Sequence, residues 1–160
     1  MKKFLILLIA LFPIVGCSVS RFASVNKNSS FDGYKYVYVV GTNDLSSSAG
    51  YASGSQNWLY GASTSKSVNP SDVIAGYLMK KGFARLPQLS EELASKTLIV
   101  SYGESGRHPM ALGYATEVTV QFIDASTNEI VATSTAAGIG ETEADDIRKA
   151  ILNCMKNLFE

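Results

Sequence analysis

The stretch LGYATEVTVQFIDASTNEIVATSTAAG, residues 112–138, decides the fold. Two runs rich in β-branched and small residues, Leu112–Asp124 and Glu129–Gly138, flank the turn-forming Ala125-Ser126-Thr127-Asn128 and predict a long antiparallel hairpin. In the first run Val118, Val120 and Phe122 alternate with Glu117, Thr119 and Gln121. Successive strand side chains point to opposite faces, so one sheet face is core and the other is polar.

Working outward, Thr97–Gly103 (TLIVSYG) and Tyr34–Thr42 (YKYVYVVGT) are further strands, with a short one near Phe83–Leu86. Two helices are marked by their ends. Asn69 can cap, Pro70 suits the first helical position, Asp72 favours the positive end and Gly82 is a stop. Thr142, with Asp145 three residues on, opens a second helix to about Phe159. Its apolar stripe is Ile147, Ala150, Ile151, Cys154 and Leu158. Strand, helix, strand-rich stretch, helix predicts an α+β two-layer sandwich. It would have a mainly antiparallel sheet of about four to five strands and two helices on one face.

The front of the chain reads as an address. Lys2 and Lys3 precede the unbroken apolar run Phe4–Phe12, and Ile14-Val15-Gly16-Cys17 closes it with a small residue before a cysteine. That is the pattern of a secretory signal, and the run falls short of the roughly 20 residues of a membrane-spanning helix. The tetrapeptide resembles the bacterial lipobox, which implies a signal peptide over 1–16, cleaved before Cys17. Cys17 would then carry diacylglycerol and anchor the chain to a membrane in the bacterial envelope. Ser18 after the cysteine resembles the signal for outer-membrane sorting. Residues 17–33, polar and rich in Ser and Asn, are expected to be a flexible tether, and 34–160 a single domain. With Cys17 a thioether, Cys154 has no disulfide partner in the chain and is expected as a buried core thiol.

Composition excludes some functions. Of 14 basic residues, Lys2 and Lys3 leave with the signal; 12 remain against 14 acidic ones, a net charge of −2. No nucleic-acid footprint is expected. One histidine and no free cysteine pair argue against a metal site. The segment Gly103-Glu104-Ser105-Gly106-Arg107-His108-Pro109 gathers a serine, a histidine and a carboxylate, but Arg107 stands where G-x-S-x-G needs its last glycine. It is expected to be a solvated connection. Gly138-Ile139-Gly140 lacks a dinucleotide fingerprint's third glycine, and Glu141 and Glu143 would repel phosphate. No enzyme and no cofactor are expected.

Aromatic residues supply the binding candidates. Tyr34, Tyr36 and Tyr38 alternate, which predicts three phenols on the polar sheet face. Tyr51, Trp58 and Tyr60 stand in the Ser/Gly-rich block 46–65, either a loop or a hairpin turning near Gly54. Tyrosine and tryptophan bring large contact area at small entropic cost, so both groups are candidate contacts. An envelope protein partner is the leading expectation; a glycan or small ligand on the 46–65 block is the alternative.

The hairpin corner Phe122-Ile123-Asp124-Ala125-Ser126-Thr127-Asn128-Glu129-Ile130-Val131, followed by a polar helix start and an amphipathic last helix, carries a resemblance. It is similar to small envelope lipoproteins whose domain resembles the amino-terminal domain of TolB and the periplasmic domain of the curli-secretion lipoprotein. The resemblance implies an interaction domain and brings no active site.

Overall fold

The computed structural model describes residues 23–55, 58–110 and 113–160, giving the backbone alone for 49–55, 58–62 and 64. The expected signal peptide over residues 1–16, Cys17 and residues 18–22 lie outside them.

The predicted hairpin is the centre of the sheet: β7 (Tyr114–Asp124) pairs antiparallel with β8 (Ile130–Gly138). Val118, Val120 and Phe122 are fully buried, while Glu117, Thr119 and Gln121 on the other face are half-buried. Asn128 closes the turn at φ 61°, a left-handed conformation that asparagine tolerates better than most residues. A bulge follows, where the register shifts between Phe122 and Ile123, and both Val131 and Ala132 are buried beside it.

The hairpin belongs to a six-stranded sheet in the order β1-β8-β7-β6-β2-β5, with β1 Ala23–Lys27, β2 Tyr36–Val39, β5 Ala84–Arg85 and β6 Thr97–Pro109. The class is α+β as expected, but the sheet is larger and mixed. β2 runs parallel to both β5 and β6, because helix α1 (Pro70–Lys80) carries the chain back across the sheet before β5 begins. Asn69 caps α1, its side chain accepting from the Asp72 N–H, and Gly82 beyond its end has φ +97°. Helix α2 (Glu143–Phe159) is capped by Thr142. Both helices pack on the face of Val37, Leu98, Val100 and Val120, through Ile74, Leu78, Ile147, Ile151 and Met155. Each such side chain stabilises the fold by roughly 1.5–3 kcal/mol when removed from water. Cys154 lies fully buried there, its thiol pushed up to about 11 chiefly by burial.

Two expectations change. The presumed tether is ordered from Ala23. β1 pairs antiparallel with β8, the Asn28 side-chain amide donates to the Ile130 carbonyl at 2.9 Å, and the Phe31 ring stacks on Phe159 and tilts against Phe122, each with centres 5.0 Å away. β1 shows no alternation because it is an edge strand exposed along its whole length. The connection expected at 103–109 is also strand, the distal part of β6, with a bulge at Ser105.

The block 46–65 is a hairpin of its own. β3 (Leu45–Ser55) and β4 (Trp58–Val68), eleven residues each, form a separate two-stranded sheet joined through residues 56–57. Of the sequence's two alternatives, a loop or a hairpin, the strands form a hairpin.

Candidate functional site

Two surfaces carry the aromatic candidates. On the sheet, Tyr36 and Tyr38 share the outer face with Ile99 and Ser101 through the parallel register Tyr38↔Ile99; Ile123 and Gln121 follow on β7. All six side chains are half-buried. Both helices pack on the opposite face, so among the described residues no helix crosses this one. At its edge, Tyr38, Gly41, Arg85, Leu86 and Pro87 border a groove of about 410 Å³. Arg85 is tied back to Asp72 at 3.1 Å.

Tyr34 does not join them. The strand begins at Tyr36, and the turn before it, closed by the Tyr34 N–H donating to the Phe31 carbonyl, breaks the alternation. Tyr34 packs against the core and donates its hydroxyl to Asp124 at 2.7 Å. Burial first, then that carboxylate, pushes the phenol up to about 12. It is a structural tyrosine.

The second surface is the β3–β4 hairpin. Its register opposes Tyr51 to Ala62, Ser53 to Tyr60 and Ser55 to Trp58. Side chains in direct opposition share a face, so the positions of Tyr51, Trp58 and Tyr60 fall together. They continue the row that begins at Leu45 and Val68 in the core. Their side chains lie outside the described ones. The other face is mostly small: Ser46, Ser48, Gly50 and Ala52 on β3 oppose Ser67, Ser65, Ser63 and Gly61 on β4, and Leu59 stands opposite Gly54.

The hairpin leaves the domain beside the start of α2. Ser47 accepts the Ala144 N–H at 2.7 Å, and the Ser67 carbonyl accepts from Arg148 at 3.1 Å. Lys66 pairs with Asp145 and, at 3.1 Å, with Glu141. These hydrogen bonds, Asp145's first, raise the ammonium's pKa, and the same lysine lowers that of Asp145. The far end of β6–β7 stands alongside: Arg107 lies 3.4 Å from Glu143 and 4.6 Å from the Tyr114 ring centre.

The glycines before α2 are packing devices. A Cβ on Gly138 would lie 1.9 Å from the Asp146 carbonyl oxygen, and one on Gly140 would lie 2.4 Å from the Asp145 Cβ. Only hydrogen at these positions lets the helix start rest on the end of β8. The Gly140 N–H donates to buried Asp146, which fills the place an incoming anion would need. Ser105 accepts from Thr119 at 3.2 Å, while His108 lies 3.6 Å from Glu117. Among the described residues no group of three His, Cys, Asp or Glu could hold a metal ion.

No protein-family profile matches this chain, and no curated protein does either. Similar solved structures are a variant PelC dodecamer from Paraburkholderia phytofirmans in space group C2 and the PelC dodecamer in space group P6. The first is 14% identical with a TM-score of 0.48, spanning 85% of this chain and 93% of that one. The second is 14% identical with a TM-score of 0.45, spanning 85% and 94%.

Proposed function

We propose that this chain is a lipid-anchored, non-enzymatic protein of the bacterial envelope that binds another protein as an accessory or assembly factor. The lipobox-like Ile14-Val15-Gly16-Cys17 supports the anchor. The observation that carries the binding role is the outer face of the sheet, where half-buried Tyr36 and Tyr38 stand beside Ile99 and Ile123 and, among the described residues, the two α-helices pack on the opposite face. Apolar and aromatic surface left uncovered in this way gains free energy when a partner removes it from water, and its rigid strands lose little entropy on docking. The experiment is in-cell crosslinking from a photoreactive residue at Tyr36. One envelope protein should be captured repeatedly, and the capture should fall at least several-fold with Tyr38→Ala. Capture of this chain alone, or of nothing, would refute the binding face.

A further inference from the structure

We propose that the protein partner of the outer face lays an extended segment along β2 beyond Pro87, adding a strand to the edge of the sheet. This rests on the protein-binding reading above and names the backbone site and the form of partner that would use it.

β5 covers only part of its neighbour. Ala84 and Arg85 pair with Tyr36 and Val37, and the Leu86 N–H then donates to the Val37 carbonyl at 2.8 Å. The chain bends at Pro87 and Gln88. Proline fixes φ and has no N–H to donate, so it suits the end of an edge strand. β2 runs on: Val39 pairs with Val100, and the Val40 N–H donates to the Val100 carbonyl at 2.9 Å. Backbone polar groups alternate sides along a strand. Val40 therefore serves β6, while Val39, like Val37, turns its N–H and C=O to the side of β5. Among the described residues, these two groups and the Gly41 N–H have no hydrogen-bond partner.

The groove of about 410 Å³ bordered by Tyr38, Gly41, Arg85, Leu86 and Pro87 runs beside them. Arg85 is already paired with Asp72, which leaves backbone hydrogen bonding, and not charge, as what this edge offers. Tyr38 belongs to both the groove and the outer face, so the two surfaces are continuous. Val40, next in the alternation after Tyr36 and Tyr38, is 40% exposed.

An extended polypeptide is the ligand that matches such an edge. Its main chain alternates donors and acceptors at the strand repeat, and its side chains fall alternately to the two faces. A helix satisfies its backbone internally and would leave the edge unpaired. From Val39 to Gly41 the edge spans roughly 7 Å, room for about three residues of an incoming strand. The side chain that falls on the outer face meets Tyr38 and Val40, so an apolar or aromatic residue is expected there.

The test pans a phage-displayed library of random short peptides against the full chain in detergent. Enriched peptides are then titrated by fluorescence anisotropy against the unaltered chain, Gly41→Ala and Gly41→Pro. A Cβ at Gly41 meets nothing within 4 Å, so alanine fits and keeps the amide, whereas proline removes it. Binding should be unchanged in Gly41→Ala and weaker by about five-fold or more in Gly41→Pro. In the unaltered chain, peptide should slow amide hydrogen exchange at Val39 and Gly41, a readout that needs no variant to fold. Slow exchange of the Val40 amide reports an intact β2 in each variant. Equal affinity for the alanine and proline forms would overturn the proposal, as would failure to enrich any peptide. Protection of Val39 and Gly41 that rises with protein concentration alone would give the edge to a second copy and overturn it too. An envelope protein captured at Tyr36 whose complex leaves the Val39 and Gly41 amides unprotected refutes strand addition alone; no capture at Tyr36 refutes the binding face on which it rests.

Discussion

Asp124 shows how much one residue of the β7–β8 turn does. Its carboxylate accepts from the Ser126 N–H and hydroxyl, from the Thr127 N–H and from the Tyr34 hydroxyl, tying the turn to the segment before β2. Burial opposes its ionisation, but the hydrogen bonds from Ser126, Tyr34 and Thr127 outweigh burial and hold the carboxyl below its ordinary range. A carboxyl more acidic in the folded than in the unfolded chain adds stability that is complete above the unfolded value, near about pH 4. That stability is lost as pH falls from there toward the folded value. Urea denaturation should therefore show a fall in midpoint below about pH 4, and Asp124→Asn should flatten that fall while costing about 1–2 kcal/mol at neutral pH. An unchanged acid slope in the variant would remove Asp124 from the account.

At the scale of elements, the helices and the central hairpin were legible because each is amphipathic and carries its own punctuation. Asn69-Pro70 and Gly82 bound α1, Thr142 starts α2, and the Val118-Val120-Phe122 alternation gives β7 its buried face. β1 left no such trace. An edge strand exposed on both faces has no hydrophobic period, so Ala23–Lys27 reads as coil, and the only apolar clue is Phe31 a few residues later. The parallel pairing of β2 was hidden for a different reason: it depends on where α1 returns the chain, which no local pattern records. Tyr34 was misplaced because alternation was extended past the end of its strand. Phe31→Ala tests the corrected boundary. Removing a half-buried ring that stacks on Phe159 and packs against Phe122 should cost about 2 kcal/mol in urea denaturation. A change close to zero would restore the picture of a loose tether.

For the molecule as a whole, one sheet divides the labour. The face under α1 and α2 holds the fold together, the outer face offers Tyr36 and Tyr38 beside Ile99 and Ile123, and one end gathers the start of β1 with the charge-free hairpin. The aromatic candidates thus belong to two surfaces at different places, and Tyr34 to neither. Sequence patterning could name the residue types, because tyrosine and tryptophan are visible anywhere. It could not say which of them share a face, since that follows from strand pairings between distant segments. The proposed envelope function depends on one chemical fact, whether Cys17 carries lipid. Intact-mass and peptide mass spectrometry of the mature protein from its native envelope reads that fact directly. The account predicts an amino terminus at Cys17 carrying diacylglycerol, with residues 1–16 absent. A mature chain starting elsewhere, or at an unmodified Cys17, would contradict it.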